Sequence, residues 1–147
     1  MYGLLLLLHI LGATVWTGGH LVLALTVLPR VIRERSPSEL LRFEEGFEKI
    51  GMPALLIQII TGPILAYRLL PNPVHWIDPG NPVARVLMLK LGLLALTAAF
   101  AVHARFRVIP RLSEHNLRVM AWHIIPVTLF AVLFVVVGVS FRTGWFY

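Results

Sequence analysis

Cysteine is absent from the 147 residues. That excludes disulfides and thiolate metal sites and leaves the redox compartment open; no diagnostic heme-attachment motif is present either. Charge is scarce as well. Only 14% of residues are charged against 58% hydrophobic, and the mean hydropathy is +0.82. A soluble domain of this size has too little interior to hide so much apolar surface, whereas a membrane protein need not hide it. Acidic residues are the scarcest charged group, seven against thirteen Lys and Arg, and none falls inside an apolar run. The net charge of +6 would point weakly to nucleic acid in a soluble chain. Here the basic residues flank hydrophobic runs, and membrane topology explains them better. The uncharged runs exceed the apolar segment of a signal peptide, and no small-residue cleavage pattern follows the first.

What the chain does have is four such runs. Leu4 to Pro29 carries no formal charge and is long enough, at about 1.5 Å per residue, to cross a bilayer. His9 and His20 interrupt it. Eleven residues apart, they return to within about 20° of one helix face and lie about 16 Å apart along the axis. Spans are expected at approximately 4–30, 52–70, 83–108 and 117–141, giving an all-α, integral-membrane four-helix bundle in a single domain. Between the first two, Ser36, Pro37 and Glu39 form a helix-start signal. Leu40, Phe43, Phe47 and Ile50 then recur opposite Glu44, Glu45, Glu48 and Lys49. This reads as an amphipathic helix over 37–50 at the membrane surface, or as a connector packed on the bundle end. Gly62 and Pro63 should bend the second span. The loop RLLPNPVHWIDPGNP has no helical period; Trp76 suits an interface, and Asn81 with Pro82 is placed to start the third span.

Four spans put both termini on one side. Lys and Arg at positions 30, 33, 35, 42, 49, 105, 107, 111 and 118 all fall in the first and third connections, against Arg68, Arg85 and Arg142 on the other side. That asymmetry places the first and third connections in the cytoplasm and both termini outside, in a bacterial-type inner (plasma) membrane.

The alternating directions sort the polar residues into two layers. His20, His103 and His123 belong to the cytoplasmic half, with Met52 and Met120 at the same end. His9 and Lys90 belong to the external half, with Met88 and His75 nearby. Imidazoles can ligate copper, iron or heme iron. His20 with His103 is the preferred axial pair for a heme, and His123 can replace either or orient one. Arg30 and Arg107 are placed to hold propionates, and Trp16 to pack against a cofactor. The ordinary alternative is that these histidines bond across helices or meet headgroups, and that the arginines anchor the bundle. Lys90 is the one formal charge well inside a span. It either snorkels to the interface or works beside His9, binding an anionic group or relaying protons.

LLHILGATVWTGGHLVLALTVLPR resembles the opening helix of the superfamily containing CopD-like copper-resistance membrane proteins and HemJ-like protoporphyrinogen oxidases, particularly at His9, Trp16, Gly18 and Gly19. FEKIGMPALLIQIITGPILA resembles their second helix. LMLKLGLLALTAAFAVHARFRVIPRL, with Lys90–Leu91 and His103, resembles the third, and RVMAWHIIPVTLFAVLFVVVGVSF, with Ile125–Pro126, the last. The HemJ-like members bind heme b and use an equivalent first-helix histidine and third-helix lysine, so the resemblance implies oxidase roles for His9 and Lys90. The CopD-like members are associated with copper passage or homeostasis. His20, His123 and the proline-rich loop depart from the HemJ pattern.

The leading expectation is therefore a heme b-binding membrane protein of electron-transfer or oxidase type, exchanging electrons with a quinone, porphyrin or redox protein. The first alternative is copper transport or homeostasis through His and Met ligands, although no Met-x-x-x-Met ladder traces a route. The second is a non-catalytic scaffold subunit. Gly92 and the alanines of the third span offer a homodimer surface.

Overall fold

The computed structural model describes residues 1–147 and is entirely helical and loop, with no strand. Four helices are long and apolar enough to cross a membrane: α1, Tyr2–Glu34; α2, Pro37–Leu69; α3, Pro82–Arg111; and α4, Leu117–Thr143. Only 25 of the 147 residues are buried, while Leu4, Leu25, Ile60, Phe106 and Trp122 are among many large apolar side chains left exposed. Water would penalise that surface and acyl chains do not. The protein is a multi-pass membrane protein.

At 1.5 Å per residue the helices measure roughly 40–50 Å, against a hydrocarbon layer of about 30 Å. Each therefore projects beyond it. This settles the segment 37–50, expected as a separate surface helix that turns inward. It is instead the first part of α2, continuous with the apolar part through Gly51, Met52 and Pro53. Pro53 and Pro63 each remove one backbone donor, but in an apolar phase breaking the neighbouring bonds as well would cost more than tolerating the gap. The expected Ser36 cap does not form: its side chain makes no cap bond, and Glu39 is drawn into an ion pair with Arg30. Arg35 makes the reversal into α2 in the left-handed region, at φ 51°. Asn81 does cap α3, its Oδ1 accepting from the Val83 and Ala84 N–H groups at 2.9 and 3.3 Å.

Two further prolines lie near the ends of α1 and α3. Leu23–Val27 and Ala104–Val108 are π-helical, and Pro29 and Pro110 follow each by two residues. At Pro29 the wider i→i+5 turn accommodates a proline that cannot donate, and the helix runs on to Glu34; at Pro110 the chain tightens into a 3₁₀ turn over Ile109–Arg111 and the helix ends.

The helices pack in the spatial order α2–α1–α4–α3: α1 lies against α2 and α4, and α3 lies against α4. A cluster comprising Leu23, Val27, Leu28, Val31, Leu40, Val108, Leu117, Met120 and Ile124 draws all four together at the end that carries the arginine-rich connections. We call this the arginine-rich end, and the opposite one the terminal end.

Candidate functional site

In the terminal half, His9 of α1 faces Gln58 and Thr61 of α2. The Thr61 hydroxyl donates to the Ile57 carbonyl at 2.6 Å, so its oxygen is left to accept from His9 Nδ1–H at 2.8 Å. Gln58 donates through Nε2 to the His9 carbonyl. These contacts fix the ring and leave the Nε2 lone pair of neutral His9 uncommitted. Gly62 lies beside the ring, where an added Cβ would make an ordinary contact with His9 Cε1 at 3.5 Å. Lys90 of α3 is half-buried and passes over Gly138 of α4, where an added Cβ would lie 3.3 Å from Nζ. Its ammonium sits 5.7 Å from the Phe141 ring centroid. No hydrogen bond joins Lys90 to His9, whose ring turns to α2.

His20 lies near the middle of α1. Its Nδ1–H donates to the Trp16 carbonyl at 2.8 Å, and its ring packs on Trp16 and Phe47, with centroids 4.5 and 5.5 Å away. Thr128 of α4 donates to the His20 carbonyl at 3.2 Å. Trp16 therefore packs on a histidine.

His103 and His123 form a pair of their own between α3 and α4. The ring planes are nearly parallel, 7° apart, and the rings meet edge to edge with centroids 4.9 Å apart. His123 Nδ1–H donates to the Val119 carbonyl at 2.9 Å, so Nε2 of the neutral ring is an acceptor. His103 Nδ1–H then donates to it at 2.7 Å, and the lone pair of His103 Nε2 is left over. Phe100 packs edge-on against His123 at 5.7 Å. His103 is exposed.

The preferred axial pair, His20 with His103, is not among these contacts. α3 packs on α4 rather than on α1, so His103 meets His123 while His20 turns to α2. Two axial histidines must face each other across a macrocycle, whereas His103 and His123 are hydrogen-bonded directly to each other at 2.7 Å. Arg30, expected beside a propionate, pairs with Glu39; Arg107 is exposed. A heme, and with it an oxidase or electron-transfer role, finds no support in this arrangement. No three His, Asp or Glu side chains gather as a metal site, and the methionines do not join the histidines: Met120 lies in the core cluster and Met52 is exposed.

Sequence reasoning missed Gln58, Thr61 and Phe47 as partners of the histidines. Gln58 and Thr61 are three apart in an otherwise apolar run, which puts them on one helix face. That spacing was the available signal; nothing comparable marks Phe47.

A family model, copper resistance protein D, matches residues 41–140. The match covers more than half of the chain, and the protein belongs to that family. No curated protein and no solved structure matches it. Family and fold together define a copper-resistance-related multi-pass membrane protein.

Proposed function

We propose that the protein carries or sequesters copper at the membrane, with His103 and His123 as the imidazole pair that takes the ion. The observation behind this reading is the Nδ1–Nε2 hydrogen bond between two nearly coplanar rings on adjacent helices, in a chain of the copper resistance protein D family. Metal–imidazole bonds are about 2.0 Å long, so a linear site needs the two nitrogens about 4 Å apart rather than 2.7 Å. His103, being exposed, can swing out by that amount. The ion would then occupy the position of the shared proton, and His103 would stay neutral by carrying its one ring proton on Nε2 instead of Nδ1. The Val119 carbonyl holds the His123 tautomer that offers Nε2, a supporting contact of the kind that tunes metal sites.

His9 and His20 supply further Nε2 donors deeper along α1. Lys90, in the same half of the bundle as His9, opposes a cation while protonated and becomes a donor once it loses the proton. We assign that layer to gating copper entry against proton release. The charge distribution supports a cytoplasmic arginine-rich end and external termini in an inner (plasma) membrane.

Copper uptake by proteoliposomes, with metal analysis of the purified protein, tests the reading. His103→Ala and His123→Ala are each expected to lower copper affinity about tenfold or more while the protein stays helical and folded. Unchanged copper affinity in both variants would reject this pair. Neither stoichiometric copper nor uptake by the native protein would reject the function itself.

A further inference from the structure

One surface groove has no histidine in its lining. It measures about 850 Å³ and runs along the outward face of α3, open on its lipid side. Arg85, Leu89, Gly92 and Leu96 line it at helical spacing, so they form one stripe. From Arg85 to Leu96 the stripe is about 16 Å long, close to half the hydrocarbon layer and thus to one leaflet. Its terminal end is walled. After α4, Gly144 adopts φ 71° and turns the chain back; Phe146 N–H then donates to Ser140 Oγ at 3.0 Å and the Tyr147 hydroxyl to the Phe141 carbonyl at 3.3 Å. Phe146 and Tyr147 are thereby held against the groove, opposite Pro79 of the α2–α3 loop.

Arg85 stands at that walled end, exposed, and no carboxylate lies within ion-pair distance of it. Asp78 of the adjoining loop is occupied by the Gly80 N–H at 2.9 Å. A guanidinium in this position is matched by a planar or tetrahedral oxyanion, and the apolar stripe beneath it by a chain running along the helix. We propose that the groove is a binding site for one anionic phospholipid, its phosphate on Arg85 and an acyl chain along Leu89, Gly92 and Leu96. Gly92 provides the room: a Cβ there meets nothing within 4 Å, so a side chain at that position fills the groove without disturbing the helix packing.

The test uses full-length protein purified from nanodiscs of phosphatidylglycerol and phosphatidylcholine, with the retained lipid quantified by mass spectrometry. Native protein should retain phosphatidylglycerol over phosphatidylcholine. Arg85→Gln should abolish that preference, a drop of about fivefold or more in the retained ratio. Gly92→Leu should release both lipids with an unchanged melting temperature, and Arg142→Gln, away from the groove, should behave as native. Equal retention by native, Arg85→Gln and Gly92→Leu protein would overturn the proposal. So would a change of oligomeric state in Gly92→Leu without lipid loss, which would identify the face as an interface between copies.

Discussion

Gly18 and Gly19 are neighbours in sequence and opposites in packing. A Cβ at Gly18 meets nothing within 4 Å, whereas one at Gly19 would lie inside the Phe47 ring. That ring packs over Gly51, where a Cβ would come within 2.9 Å of it, stacks on Phe43 at 6.0 Å, and is set edge-on to His20. Gly19→Ala should therefore destabilise the protein by about 1–3 kcal/mol, the usual cost of overpacking, while Gly18→Ala should be neutral or slightly stabilising. Thermal unfolding in one detergent, monitored by helical circular dichroism, compares the two; equal melting temperatures would refute the close α1–α2 contact. The two residues look alike in the sequence because glycine there records only the absence of a side chain. Which of them a neighbour needs depends on where the aromatic ring of another helix comes to rest.

At the scale of the element, α2 carries a charged extension beyond its apolar part, and the charges there are coupled. Glu44 is half-buried. Burial, together with the negative charge of Glu48 one turn on, pushes its carboxyl up to about 7, with Arg105 of α3 pulling the other way. Arg105 and Glu48 are 3.8 Å apart. The native state thus holds this proton more tightly than the unfolded chain, whose carboxyl titrates near 4.5. Stability contributed by the protonated form is complete below about 4.5 and is lost as the pH rises toward about 7. Glu44→Gln should flatten the melting-temperature profile across that window and raise the melting temperature at pH 8. A native profile that climbs between pH 5 and 7, or a variant profile of unchanged slope, would contradict this. The helix itself was legible from its periodicity. Its continuity through Gly51 and Pro53 was not, because a glycine–proline signal describes local cost, while the surrounding phase decides whether a helix breaks.

For the whole molecule, the lack of native cysteine gives a clean background for measuring which way the chain crosses the membrane. Val74 is 74% exposed in the α2–α3 loop, and His115 is exposed in the α3–α4 connection. With external termini, a membrane-impermeant maleimide added to intact cells should label Val74→Cys and spare His115→Cys until the membrane is permeabilised. The reverse pattern would invert the orientation proposed from nine arginines and lysines against three. The same topology governs the candidate site. Antiparallel spans bring His20, His103 and His123 into one half of the membrane, but depth is one coordinate only. The order α2–α1–α4–α3 supplies the other, pairing His103 with His123 and sending His20 to Phe47.

Composition and periodicity by themselves determined that this chain is helical and that four of its runs are long and apolar enough to cross a membrane. Apolar length and residue spacing follow from the chain one segment at a time, and lipid enforces them without reference to neighbours. Tertiary structure alone decided which helices are adjacent, and hence that His103 and His123 form an edge-to-edge imidazole pair with its own hydrogen-bond chain rather than His20 and His103 an axial pair across a macrocycle. That choice rests on long-range packing: the glycine at 138 against which Lys90 lies, the glycine at 19 that receives Phe47, and the cluster around Val31 that gathers all four helices at one end. Each such contact joins residues from different helices, and no local pattern in either segment specifies its partner.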